Sequence, residues 1–136
     1  MVAAVRTTKQ FLTYVNGAPF QPAVAVGLGL DNAFYASVTG DLRRKRDLLC
    51  AGLASVGFSV FKPAGTYFVT TDVRPLGYDD GVAFCRDLPK RAGVVAIPHS
   101  VFYDNVSVGR PLVRFAFCKK PETLDEAARR LGKLVR

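Results

Sequence analysis

One stretch limits the possible folds more than any other. Between Asp31 and Gly57, Phe34, Val38, Leu42, Leu49, Leu53 and Val56 recur at spacings of three, four and seven, which puts one apolar stripe along a helix. Asp31 is placed to cap the first turn and Gly57 to stop the last. Downstream the period changes to two. Thr66 to Val73 is rich in β-branched and aromatic residues and follows Pro63-Ala64-Gly65, so it predicts a strand. Asp79 is the expected cap of a helix with Val82, Cys85 and Leu88 on its inner face. Val94 to Ile97 predicts a second strand closed by Pro98. Leu112 to Cys118 predicts a third, after a polar loop with Asn105, Gly109 and Pro111. Pro121 opens a last helix with Leu124, Ala127, Leu131 and Leu134 inward, its acids early and its bases late, as the helix dipole favours. Upstream, Val2 to Tyr14 predicts a short helix, Asn16-Gly17-Ala18-Pro19 a break, and residues 20–30 a buried helical segment. The expected class is α+β (α/β): a small mixed, mainly antiparallel sheet of three to four strands, helices on one face, and a long connecting helix before it.

Composition excludes several functions. The 136 residues suit one domain. No apolar run approaches the ~20 residues of a membrane-spanning helix, and the first nine residues lack a secretory pattern. Nineteen Lys and Arg against eleven Asp and Glu give a net charge of +8, but the basic groups are scattered and mostly close to acids. The run Arg43 to Arg46 reads as a solvated helix face, with Asp41 placed to pair with Lys45. Aromatic strands on a basic chain would suit base stacking, yet VRFAFCKK lacks the glycine of the RNA-binding strand signature, and the longest helix precedes every clear strand. The expectation is no nucleic acid and no membrane. Gly27-Leu28-Gly29 lacks the third glycine of a dinucleotide loop, and no phosphate loop is present. Cys50, Cys85 and Cys118 are odd in number, far apart and without metal spacing. They read as buried small hydrophobes of a chain in a reducing, cytoplasmic setting.

The strand Leu112-Val113-Arg114-Phe115-Ala116-Phe117-Cys118 carries the most informative residue. Alternation sets Val113, Phe115 and Phe117 on one face and Arg114 on the other, with Leu112, Ala116 and Cys118. A guanidinium in a short apolar strand needs a partner or a site. Its planar fork matches a carboxylate of the protein or of a ligand, and spacing alone leaves a structural ion pair, a water-facing edge and a ligand contact all open. His99 is the sole histidine. With no nucleophile or orienting acid in a paired motif, it reads first as a loop or packing residue.

Three separated stretches carry a wider resemblance: AAVRTTKQFLTYVNGAPFQPAVA, PAGTYFVTTDVRPLGYDD, and AGVVAIPHSVFYDN with PLVRFAFCKKPETLDEAARRL. In this order they resemble class I/II, fold-type I aminotransferases that use pyridoxal phosphate, nearest to the N-succinyldiaminopimelate and kynurenine/glutamine aminotransferase branch. The resemblance implies that residues 1–30 match the end of a large cofactor domain, 31–57 the long connecting helix and 58–136 the C-terminal small domain. It implies that Arg114 clamps a substrate α-carboxylate and that His99, Phe102 and Tyr103 lie beside the active site. Tyr14 and Asn16 would belong to a loop that reaches the other subunit of a homodimer. The parent reaction would pass an amino group between an amino acid and a 2-oxo acid. The Schiff-base lysine, the aspartate for the pyridinium nitrogen, the stacking ring and the phosphate ligands all match positions upstream of Met1, and Lys9 does not stand in for the lysine. The resemblance therefore implies a truncated portion that binds no pyridoxal phosphate alone and is catalytically inactive. An interaction module using former interface surface is the alternative.

Overall fold

The computed structural model describes residues 1–12 and 17–135. The chain divides into two compact units, Met1–Ser37 and Val38–Arg136.

The first unit holds α1 (Val2–Leu12), a single 3-10 turn (Ala18–Phe20), α2 (Gln21–Leu28) and the start of α3 (Asn32–Val56). Asp31 caps α3 as expected, its Oδ1 accepting from the Phe34 amide at 2.9 Å. The Tyr35 hydroxyl donates to the Gly27 carbonyl, and the Phe34 and Tyr35 rings meet edge to face at 5.5 Å. The expectation that residues 20–30 are buried fails. Neither α1 nor α2 buries a residue, and Val26 and Leu28 are 70% and 77% exposed. Gln21–Leu28 is apolar on nearly every side, and so short a unit has too little chain to cover such a helix. Tyr14 and Asn16 lie outside the described residues.

The second unit contains the core. The stripe on α3 is buried only towards its C-terminal end, at Leu49, Cys50, Leu53 and Val56, whereas Phe34 and Val38 are exposed. The helix stops where Gly57 takes φ +101°, a conformation that favours glycine. Four antiparallel strands follow, β1 (Ser59–Phe61), β2 (Phe68–Asp72), β3 (Ile97–Pro98) and β4 (Leu112–Ala116), in the spatial order β1-β2-β4-β3. The sequence pattern did not single out β1, and β3 is shorter than the expected Val94 to Ile97. Pro98 sits inside β3 opposite Val113, tolerated because an edge strand has an unpaired side.

Helices α4 (Gly81–Ala92) and α6 (Pro121–Leu131) complete the unit, with a 3-10 turn at His99–Phe102 and the single-turn α5 (Val106–Gly109) inside the expected polar loop. The cap of α4 is Asp80 rather than Asp79, its Oδ1 accepting from the amides of Val82 at 2.7 Å and Ala83 at 3.3 Å. With that start, the inner face of α4 is Gly81, Phe84, Leu88 and Ala92. Cys85 is half-buried and Phe84, not expected inside, is buried, because one residue turns a helix by about 100°. Leu124 and Leu131 of α6 join the core as expected, with Leu134 packed at its margin. Phe58 stands edge-on to Phe84 and Phe115 at 5.8 and 5.6 Å.

The sheet has two unlike faces. Val60, Val69, Thr71, Val113 and Phe115 point into the core with the helices. Phe61, Phe68, Thr70, Ile97 and Arg114 share the opposite face, where they stay half-buried or exposed. Arg114 lies on that more open face, as the alternation in its strand predicted.

Candidate functional site

Register builds the site on that face. Arg114 in β4 lies opposite Thr70 of β2 on one side and Ile97 of β3 on the other. The chain leaving β3 turns at once into the His99–Phe102 3-10 turn, which returns Phe102 to the guanidinium. Arg114 Cζ is 4.3 Å from the centre of the Phe102 ring and 4.9 Å from that of Phe68. A flat cation is attracted to such ring faces, and stacking leaves the N–H donors at its edge free. Among the described residues Arg114 makes no ion pair and no hydrogen bond to a carboxylate. The nearby acid on the same face, Asp72, is held by Arg74, whose Nε lies 2.9 Å from Asp72 Oδ2. That hydrogen bond keeps the Asp72 carboxyl below the ordinary carboxylate range. Of the alternatives open for Arg114, a structural ion pair is therefore absent among the described residues.

His99 stands at the rim. Its Nε2 is 3.1 Å from Thr70 Oγ1, and its ring lies 6.3, 6.3 and 6.1 Å from those of Phe68, Phe102 and Tyr103. Burial, and then the charge of Arg114, lower its pKa from the usual histidine value. The structure thus brings together Arg114, His99, Phe102 and Tyr103. Sequence reasoning missed Phe68 and Thr70. Alternation already set these two on one face of β2, but only the pairing of β2 with β4 brings them to Arg114.

The face does not fit pyridoxal phosphate. The positions that register assigns to it carry no lysine to condense with an aldehyde, and its carboxylate is taken by Arg74. Elsewhere Lys45 is 2.6 Å from Asp41 and Lys62 is 2.8 Å from Asp47. The Lys45 contact is the expected i,i+4 pair on α3, whereas the Lys62 contact lies outside the basic run. Of that run, the Lys45 and Arg46 side chains are largely covered rather than solvated, Arg46 donating to the Pro63 carbonyl at 3.0 Å. No group of three or more metal-ligating side chains occurs among the described residues. Cys118 is exposed and Cys85 half-buried, correcting the expectation that all three cysteines are buried; Cys118 follows β4 on the side of the alternation that carries Arg114, while the adjacent Phe117 faces the core. A cleft of about 530 Å³ on the helix side, lined by Leu49, Phe115, Leu124 and Leu131, is remote in kind from this site, and its rim acid Glu126 is already bonded to Arg129 and Arg130.

The family model for aminotransferase class I and II matches residues 1–131. The chain belongs to the class I and II aminotransferases. It is 51% identical to the probable N-succinyldiaminopimelate aminotransferase DapC of Mycobacterium tuberculosis over 99% of this chain and 36% of that protein. It is 36% identical to the methionine aminotransferase of Escherichia coli over 97% of this chain and 34% of that protein. The solved N-succinyldiaminopimelate aminotransferase from Mycobacterium tuberculosis superposes with a TM-score of 0.85 at 54% identity, covering 98% of this chain and 35% of that one. Aspartate aminotransferase from Thermus thermophilus with maleate superposes at 0.64 and 28% identity, over 75% of this chain and 25% of that one. This aminotransferase chain thus spans about a third of the length of the relatives it matches, and its small antiparallel sheet with packed helices matches the fold of the corresponding part of those neighbours. The family to which the chain belongs is one whose full-length members use pyridoxal phosphate. Among the described residues, no helix is long and apolar enough to cross a membrane.

Proposed function

We propose that this chain is the substrate-carboxylate-binding portion of a pyridoxal-phosphate-dependent aminotransferase, that Arg114 grips the α-carboxylate of an amino acid or 2-oxo acid, and that the chain alone does not transaminate. One observation carries the reading: a guanidinium held against two aromatic rings on an open sheet face, with its hydrogen-bonding edge unclaimed by any described carboxylate. Such an edge accepts both oxygens of a carboxylate in one plane. The rings restrict rotation of the fork, so less side-chain entropy is lost when the ligand arrives. A relative of the same architecture was solved with maleate, a dicarboxylate, which supports an anion of this class on the fold.

In this reading residues 1–30 belong to the end of a cofactor domain, 31–57 to the connecting helix and 58–136 to the small domain. The exposed apolar side chains of α1 and α2 are then surface for the remainder of a homodimeric, cytoplasmic parent enzyme, and Tyr14 and Asn16 belong to its intersubunit loop. The cofactor would supply the electron sink for proton transfer at the substrate α-carbon. This chain's contribution is to bind the carboxylate, orient it in the plane of the Arg114 fork, and wall it with Phe68, Phe102, Tyr103 and His99.

The test has two arms. Nuclear magnetic resonance titration of the chain with lactate should shift signals around Arg114 saturably, and Arg114→Gln should abolish the shifts. Incubation with pyridoxal phosphate and an amino acid should give no 2-oxo acid above that formed by free cofactor. Arg114-independent lactate binding, or turnover by the chain alone, would sink the proposal.

A further inference from the structure

We propose that His99 is a second, proton-dependent determinant of carboxylate binding at Arg114: capture of the anion is accompanied by a net, fractional uptake of protons from solvent onto the imidazole. The inference rests on the assignment of Arg114 as the carboxylate grip and adds to it the residue that sets when the grip is strong.

Geometry makes the coupling. His99 and Arg114 share the same two aromatic neighbours, Phe68 and Phe102. Thr70, opposite Arg114 in the sheet, holds His99 Nε2 at 3.1 Å. Imidazole and guanidinium are thus neighbours on one half-buried face. The groups that surround the ring bring no acid to it. From β2 it meets Phe68 and Thr70, from β4 Arg114, and from its own turn Phe102 and Tyr103. Ile97 and Pro98 of β3 and the short α5 have no ionisable side chain. On α4, Asp87 already accepts from Tyr78 and lies 3.7 Å from Arg91. Arg114 is the charge that acts on His99, and with burial it favours the neutral ring.

A carboxylate on Arg114 cancels that repulsion and adds a negative charge beside the ring, so both effects now favour the imidazolium. The hydrogen bond to Thr70 changes direction with the proton. While Nε2 is an unprotonated acceptor, the Thr70 hydroxyl donates to it. Once the ring is charged, Nε2 donates to Thr70 Oγ1. The hydroxyl proton is then released to donate elsewhere on the face, and the anion is the acceptor available there. Linkage fixes the sign. Because binding raises the His99 pKa, the affinity gain is complete below the pKa of the free chain and is lost as pH rises through that of the complex.

His99 is the chain's single histidine, so its imidazole C–H resonance can be followed without assignment ambiguity. The probe is lactate, ionised throughout pH 5.5 to 8.5, with lactamide as the neutral isostere. Saturating lactate should raise the His99 pKa by about one unit, and lactate should bind about tenfold more tightly at the acid end of the range than at the alkaline end. Lactamide should leave the titration unchanged. His99→Gln, which keeps a side-chain hydrogen-bonding group near Thr70 but does not titrate, should bind lactate with an affinity that no longer changes with pH across this range. Lactate binding that Arg114→Gln abolishes but that leaves the His99 titration unmoved would overturn the role of His99 and leave that of Arg114 standing. Affinity that still rises on acidification in His99→Gln would do the same. Absence of any Arg114-dependent binding overturns both.

Discussion

Gly52 of α3 meets Ala128 of α6 so closely that a methyl group at position 52 would lie 2.6 Å from Ala128 Cβ and 3.8 Å from its Cα. Two carbons prefer about 3.5–4.0 Å, so Gly52→Ala requires the helices to part by about 1 Å, and Ala128 offers no flexible side chain to move instead. Helix propensity works the other way, favouring alanine by about 1 kcal/mol in a helix interior. Forcing a methyl into a close-packed contact costs about 1–3 kcal/mol. Overlap outweighs propensity, and Gly52→Ala should destabilise the chain by about 1 kcal/mol. In a domain of this size that lowers Tm by about 4–8 °C. The double variant Gly52→Ala/Ala128→Gly removes the overlap while its two propensity changes cancel, so it should return to within about 0.5 kcal/mol of the parent. The four proteins form a thermodynamic cycle, read by thermal and urea unfolding followed by far-ultraviolet circular dichroism. A rise in Tm for Gly52→Ala, as propensity alone would give, refutes the reasoning, as does a double variant no more stable than the single one.

Asp80→Ala should cost about 1 kcal/mol through loss of the α4 cap, while Asp79→Ala should be close to neutral; urea unfolding of both variants separates the two aspartates. Phe102→Leu should weaken lactate binding about two- to fivefold, the size of one ring–cation contact, with little change in Tm. Glu126 accepts from Arg129 at 2.7 Å and from Arg130 at 2.7 Å, which holds its carboxyl at about 2. Its contribution to stability is therefore present above the ordinary glutamate range and lost as pH falls through about 2. The acid limb of the stability profile should flatten in Glu126→Gln and shrink in high salt, as expected for an exposed cluster.

Features encoded by neighbouring residues were legible in the sequence. The cap and stop of α3 at Asp31 and Gly57 need only their own backbone surroundings, and both are where the pattern put them. The facing of Arg114 followed from alternation within its strand. Adjacent Asp79 and Asp80 were different, since either could cap a helix locally. The choice is tertiary: the Gly81 amide donates to the Arg110 carbonyl at 2.7 Å, and a Cβ at position 81 would stand 2.7 Å from the Leu112 carbonyl. The helix must begin there with a glycine, which leaves Asp80 as the cap. Burial of residues 20–30 was misread because apolar composition predicts a partner surface without showing that the same unit provides it. Phe68 and Thr70 stayed hidden because the approach of β2 to β4 depends on long-range register, which the alternation within either strand does not specify.

Every residue assigned to the anion site, from Phe68 and Thr70 through His99 and Phe102 to Arg114, lies within Val38–Arg136, the unit that also contains the whole buried core. If Arg114 holds the acid group as proposed, its recognition is a modular trait, set by strand pairing inside one compact unit. A transplant of residues 38–136 between relatives should then carry the preference for the anion, and its proposed dependence on acidity, along with the scaffold that creates them.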